Sequence, residues 1–304
     1  MIKNRFVLID AFALIFRAYY ALPPSLTTDG HPVQAAYGFA SALLSAIKTL
    51  QPEYLAVGMD LPKPTKRHEA FVEYKAHRAP MPEDLGAQIP YVQDLLKTMN
   101  IPYFAVAGYE GEDILATIVA KVKSEKLKAQ RDTEFIIVTG DLDLLQLIDN
   151  QTKVYSMARG VNQAQMYDIA KVKERYGLLP EQFVDFKALK GDASDNIPGV
   201  PGIGEKGAAK LIIEYGNLDK IYENIEKIKG KVQTLLKENK ETAYLSQKLS
   251  KITPDAPLDF NLADAKIHQY DSQKTIALFK KLGFISLIDR LPREEVKEPQ
   301  PKLF

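Results

Sequence analysis

Four short apolar runs in this chain each end in carboxylates. Phe6–Asp10 reads FVLID, Tyr54–Asp60 reads YLAVGMD, Tyr103–Asp113 reads YFAVAGYEGED and Phe135–Asp143 reads FIIVTGDLD. β-Branched and aromatic residues at this density predict strands over Phe6–Asp10, Tyr54–Asp60, Tyr103–Ala107 and Phe135–Thr139, with a fifth at Lys153–Tyr155. Stretches of helical period lie between them, at Ala36–Leu50, Glu83–Met99, Glu112–Leu127 and Leu142–Ile148. Such alternation predicts an α/β fold with a mostly parallel central sheet flanked by helices. Pro90 lacks a backbone donor, so the second of these helices should kink or break there.

In an open parallel sheet the carboxyl ends of the strands share one edge, where ligands bind. Asp10, Asp60, Glu110, Glu112, Asp113, Asp141 and Asp143 should therefore converge on one small volume. One Asp after one strand is ordinarily a turn former or helix cap. Acids at four strand ends exceed what capping explains. Carboxylates crowded together raise one another's pKa unless cations compensate. An all-oxygen donor set suits Mg²⁺ or Mn²⁺ and not Zn²⁺.

The charge balance looks uninformative at first, with 40 Lys and Arg against 39 Asp and Glu. It excludes a histone-like basic binder and an acidic solvating tail. The absence of cysteine excludes disulfides, thiolate metal sites and Cys nucleophiles, and four His make a His-based centre a poor fit. The apolar run Phe6–Phe16 is interrupted by Asp10 and closed by Arg17, so it reads as a strand turning into a helix and not as a signal peptide. No stretch reaches the roughly 18 apolar residues of a membrane span. A cytoplasmic chain is expected.

Beyond about Asp168 the strand pattern stops. The expected organisation is an α/β core over 1–167, a helical portion over 168–291, and a Pro- and charge-rich linker or tail over 292–304. Within the helical portion, GDASDN at Gly191–Asn196 sets Asp192 and Asp195 three residues apart, close enough to share an ion on a helical turn. The following PGVPGIG and its Ala-rich helix predict a helix-hairpin-helix near 189–213. Its free N–H groups suit a phosphate backbone. Lys63–Arg78, KPTKRHEAFVEYKAHR, interleaves five Lys/Arg with Phe71 and Tyr74, as suits a single strand whose phosphates meet cations while bases stack.

Taken in order, IDA, RAYYAL, GMD, KRHEAFVEYKAHRAPMPEDL, GYEGED, TGDLDLLQL and GDASDNIPGVPGIGEKGAAKL resemble the 5′-nuclease domains of the bacterial DNA polymerase I family, within the flap-endonuclease family. The likeness spans about residues 3–290. It implies a PIN-like 5′-nuclease fold, a helical arch near 63–90, and hydrolysis of DNA at single-strand/duplex junctions. It further implies two or more Mg²⁺ or Mn²⁺ ions held by Asp10, Asp60, Glu110, Glu112, Asp113, Asp141, Asp143, Asp192 and Asp195.

Lys75, Arg78 and Arg17 match positions that act on the scissile phosphate, and Arg17, Lys66, Arg67, Tyr74, Lys75, Arg78 and Lys206 are expected on DNA. Gly199, Val200, Gly202, Ile203 and Gly204 match the hairpin, where a K⁺ ion can sit against the duplex. Three positions depart from the family pattern: Ala11 follows Asp10 in place of Gly, Glu112 replaces Asp, and Lys66 replaces an aromatic. A monomer is expected, linked in its natural context to a polymerase domain. Two other readings stay open at this point: a catalytically silent junction binder and a metal-dependent hydrolase of small phosphoesters.

Overall fold

The computed structural model describes residues 4–24, 26–124, 133–158, 160–267 and 270–292. The predicted tail from 293 onward and the last residues of the Glu112–Leu127 helix lie outside the described residues.

In chain order, β1 (Arg5–Asp10) runs into α1 (Ala11–Ala21) and a small ribbon of β2 (Thr27–Thr28) and β3 (His31–Pro32). Then come α2 (Gln34–Leu50), β4 (Tyr54–Gly58) and three short helices, α3 (Lys66–Ala70), α4 (Glu83–Gly86) and α5 (Ile89–Thr98). β5 (Tyr103–Phe104), α6 (Gly111–Ser124), β6 (Glu134–Thr139), β7 (Thr152–Ser156) and β8 (Gln165–Tyr167) complete the core. The helical portion holds α7 (Ile169–Tyr176), α8 (Phe183–Lys190), α9 (Glu205–Tyr215), α10 (Leu218–Glu223), α11 (Lys231–Glu238) and α12 (Lys240–Ser250). Two last helices, α13 (Ser272–Lys281) and α14 (Ile285–Ile288), close the chain.

The sheet order is β5-β4-β1-β6-β7-β8, and every neighbouring pair is parallel except β7 with β8. The predicted mixed but mostly parallel sheet is therefore present. β1 lies inside it, with Phe6, Val7, Leu8 and Ile9 fully buried. Burial of each such side chain is worth about 1.5–3 kcal/mol, which fixes the register of the strand. Alternation sends Phe6 and Leu8 to one face, against α6 and the helical portion, and Val7 and Ile9 to the other, against α1, α2 and α5. Gly58 ends β4 where a Cβ would come within 2.7 Å of Gly111 O, so the start of α6 presses directly on the strand end.

One expectation is corrected and another is met. Leu142–Ile148 is a 3-10 turn over Asp143–Leu147 and not an α-helix, because Asp141 and Asp143 fold the backbone back on themselves, the Asp143 N–H bonding Asp141 Oδ1 at 2.8 Å. The Glu83–Met99 stretch does break at Pro90, into α4 and α5, and Pro90 sits in the first turn of α5, where its missing donor costs nothing. Near 63–90, where a helical arch is expected, the chain forms α3 and α4. After α3 the chain makes consecutive turns over 72–77, with Lys75 in the left-handed region at φ 56°.

The 252–267 segment then returns beneath the sheet. Phe260 stacks on Phe6 with ring centroids 5.8 Å apart, and Ile267 N–H bonds Glu53 O at 3.0 Å. α13 and α14 pack on the face opposite the helical portion, through Phe279, Leu282, Phe284 and Leu287.

Candidate metal centre and its basic rim

The carboxyl edge of the sheet opens into a cleft of about 670 Å³. Asp10, Asp60, Glu110, Glu112, Asp141 and Asp143 line it from the core, and Asp192 joins them from the helical portion. The strand ends thus bring six of the seven acids expected there into the lining, Asp113 being the exception.

Local hydrogen bonds fix each acid. Asp10 ends β1 and caps α1, accepting from Ala13 N at 3.2 Å and from Thr139 Oγ1 at 2.7 Å. Asp60 Oδ1 accepts from Gly111 N at 2.5 Å, a bond made possible by the close approach at Gly58. Asp10, Asp60 and Asp141 have no ion-pair partner among the described residues. Desolvation at the cleft floor, helped by the charges of Asp60 and Asp141 and opposed by Thr139, pushes Asp10 up to about 7. Burial also raises Asp60, and burial with the neighbouring Glu110 and Asp141 lifts Glu112 well above the carboxylate range. Asp143 rises to about 6 by burial and its neighbour Asp141, against the pull of Lys187.

Among the described residues, no three Asp, Glu, His or Cys are gathered tightly enough to ligate one ion as they stand. The donor chemistry nevertheless fits a hard divalent cation. Every donor is a carboxylate oxygen, and the group as a whole carries more negative charge than the protein cations around it balance. Asp10, Asp60, Glu112 and Asp141 are the lining acids that would hold such ions.

Protein cations occupy the rim. Lys75 Nζ bonds Glu110 Oε2 at 2.7 Å and lies 3.9 Å from Asp195 Oδ2. Burial opposes its charge, but Glu110 and Asp195 outweigh that and hold the ammonium above its ordinary value. Arg78 bonds Asp195, with half of its side chain still exposed. Lys187, on α8, bridges Asp143 to Asp192 Oδ2, the latter at 2.6 Å. Burial resists ionisation of both partners there, yet the pairing raises Lys187 and lowers Asp192 to about 2. Arg17 lines the cleft and donates to Met157 O at 2.6 Å.

Several of the predicted site residues lie outside the cleft. Asp113 and Asp195 do not line the cleft. Asp113 is 2% exposed, with both oxygens taken by Arg67 at 2.8 and 3.0 Å and further bonds from Thr253 N and Glu110 N. Asp195 is buried beneath Tyr74, Lys75 and Arg78. Arg67 and Tyr74, predicted on DNA, are both buried, because Arg67 is surrounded by acids and carbonyls and Tyr74 packs on Ile197 and Leu249. Lys66 turns away from the cleft, over the Tyr109 ring and toward Asp255.

In the hairpin, Gly199, Val200 and Ile203 are buried, while Gly202, Gly204 and Lys206 face solvent. Gly199 has to be glycine: its φ is 63° and a Cβ would lie 2.3 Å from Gly191 N. Its N–H is spent on Ser246 Oγ at 2.9 Å. Lys187 and the rings of Phe12 and Phe16 line the cleft without having been predicted. Each sits on a helix where a lone Lys or Phe carries no signal of its own.

Comparison with known proteins gives a consistent result. Residues 5–177 match the family model described as 5′-3′ exonuclease, N-terminal resolvase-like domain. Residues 178–273 match the model described as 5′-3′ exonuclease, C-terminal SAM fold. The chain is 38% identical over 294 residues to DNA polymerase I of Caldicellulosiruptor bescii, covering 96% of this chain and 34% of that protein. It is 37% identical over 308 residues to the thermostable DNA polymerase I of Thermus thermophilus, covering 99% of this chain and 35% of that one. The chain therefore spans about a third of the length of these relatives. Its fold is similar to that of the bacteriophage T5 D15 flap endonuclease, solved with DNA and metal ions, at a TM-score of 0.66 and 23% identity over 95% of this chain and 100% of the other.

Proposed function

This chain belongs to the 5′-3′ exonuclease family, and from that premise we propose that it is a structure-specific 5′ nuclease acting on DNA at junctions of single strand and duplex. It works as an exonuclease from 5′ ends and as an endonuclease on 5′ flaps, in the cytoplasm, as a monomer and as part of a longer polymerase chain. The observation that carries this reading is the cleft itself: Asp10, Asp60 and Asp141, without an ion-pair partner among the described residues, share its lining with Lys75, Arg78 and Arg17. A surface with an acidic floor and a cationic rim suits a phosphodiester held between divalent ions and basic side chains.

Mg²⁺ or Mn²⁺, held by Asp10, Asp60, Glu112 and Asp141, would supply Lewis acidity and charge neutralisation at the reacting phosphate. The chain's own residues do the rest. Arg17 holds a phosphate at the mouth of the cleft. Lys75 and Arg78 exchange Glu110 and Asp195 for the non-bridging oxygens of the scissile phosphate, where charge grows in the transition state. Gly202, Gly204 and Lys206 meet the backbone of the duplex without reading its sequence, and a K⁺ ion bound at this hairpin would add to that grip. Glu205, between Gly204 and Lys206, lines the cleft, so the substrate presents duplex to the hairpin and a strand end to the adjoining acids, which is the basis of junction selectivity.

A 5′-labelled flap substrate tests the proposal directly. Cleavage near the junction in Mg²⁺ or Mn²⁺, abolished by EDTA, is the expected result. Binding without cleavage in either ion would leave a junction-binding protein, and faster turnover of a chromogenic phosphate ester than of the flap would point to a small-molecule hydrolase.

A further inference from the structure

Arg67 is the second residue of α3, at the root of the arch segment, and is 7% exposed. Its guanidinium forks onto Asp113 at 2.8 and 3.0 Å and reaches Glu112 Oε1 at 2.9 Å and Glu110 Oε2 at 3.5 Å. Its remaining donor capacity goes to the end of α12, with Nε on Leu249 O and Nη2 on Lys251 O, each at 3.0 Å. One planar side chain therefore joins three acids of the β5–α6 corner to a helix more than a hundred residues away in the chain. A guanidinium presents five N–H groups in a fixed plane, a geometry lysine cannot reproduce.

Two further facts give this arrangement a functional direction. Glu112 lines the cleft, and among the described residues Arg67 is its only ion-pair partner. α12 is also the helix that holds the hairpin, through Ser246 Oγ on Gly199 N and Gln247 Nε2 on Asp185 of α8. The corner acids and the hairpin are thus fastened to one element.

We propose that Arg67 is a positioning residue of the divalent-ion site, aiming the Glu112 carboxylate into the cleft and anchoring the Glu110–Asp113 corner to α12. This rests on the metal-dependent reading above. Arg67 touches no substrate in this role. It acts as the partner that orients a ligand, a position whose loss commonly lowers metal affinity or activity about 10–100-fold.

The full chain serves for the test, with Mn²⁺ as the probe. Arg67→Met should shift the Mn²⁺ half-saturation of thermal stabilisation, measured without DNA, upward by about tenfold. Flap cleavage should fall at least as far in kcat at fixed Mn²⁺ and recover partly at high Mn²⁺, with KM for the flap and its Kd in EDTA within about threefold of wild type. Arg67→Lys keeps the charge without the fork, and a rightward shift of at least about threefold is expected there too. It carries the test if Arg67→Met does not fold.

A lowered Tm with an unchanged Mn²⁺ curve would make Arg67 structural only. A flap Kd raised tenfold in EDTA, with the Mn²⁺ curve unmoved, would return it to DNA contact. Either result overturns the proposal. If the wild-type chain itself neither cuts the flap nor responds to Mn²⁺, the metal-nuclease reading fails instead.

Discussion

The segment from Thr65 to Arg78 holds two regions of opposite character. Its base, α3, is a regular turn of helix with Thr65 and His68 in a capping box and Arg67 enclosed by protein. Its crest is a chain of turns in which Val72 is 85% exposed, Arg78 is half exposed and Lys75 adopts a left-handed backbone. Both regions send cations to the same acids. The base supplies a permanent charge with every donor spent on protein. The crest supplies charges held by a few contacts that a substrate phosphate can replace. The left-handed backbone at Lys75 costs about 1 kcal/mol, which favours its release when something better is offered. The lesson is that cations near a metal site divide into those that build it and those that serve it, and burial separates the two.

That division can be broken by measurement. The largest effect should come from a buried cation of the building kind. Lys187→Met strands Asp143 and Asp192 around an apolar side chain, and unfolding in urea should show a loss of about 3–5 kcal/mol. A loss under 1 kcal/mol would place Lys187 with the crest residues. Next, Lys75→Ala should slow flap cleavage by roughly 10²–10³, about 2.7–4 kcal/mol of barrier, with a Tm within a degree or two of wild type. A large drop in Tm would show that the crest is structural after all.

A third prediction concerns pH. Asp10, at about 7 in the folded chain, binds its proton more tightly than in the unfolded chain, so it contributes stability that is present below about 4 and lost as pH rises through 7. Asp143, at about 6, acts in the same direction. The metal-free chain should therefore lose on the order of 2 kcal/mol between pH 5 and 8 in urea titrations in EDTA, and Mg²⁺ should cancel the loss. Asp192, lowered to about 2 by Lys187, has the opposite sign and matters only below pH 4. Equal stability at pH 5 and 8 in EDTA would show that the acids are already balanced. The smallest effect belongs to Val72→Ser, expected to change stability by less than about 0.5 kcal/mol because its side chain meets only solvent.

The strands and the acids at their ends were legible because both follow from short-range patterns: four apolar residues, a turn, a carboxylate. The sheet edge then does the gathering. β8 and the β2–β3 ribbon escaped notice because strands of two or three residues have no pattern to read. The roles of charged residues were the hardest to read. Arg67 and Lys66 are adjacent in sequence and look alike in a basic run, yet one is sealed among acids and the other lies over Tyr109. Their separation depends on Leu249 and Lys251, which no local window contains. Lys187 was missed for the same reason: its partners come from a strand end and a loop that meet only in the folded chain.

The return of the chain beneath the sheet bears on how this molecule can be taken apart. The match to the second family model ends at residue 273, which invites treating 1–177 and 178–273 as interchangeable modules. The packing forbids it. Phe260 stacks on Phe6 of the central strand, and Phe279 and Phe284 cover the opposite face. A cut after Lys251 would remove no separate module but take Phe260 from β1 and the α13–α14 cover from the helices on the other side of the sheet. The segment from 252 to 291 acts as a strap around the core, so a chimera that exchanges the hairpin portion must carry the strap with it, or begin and end its graft between Asp168 and Lys251.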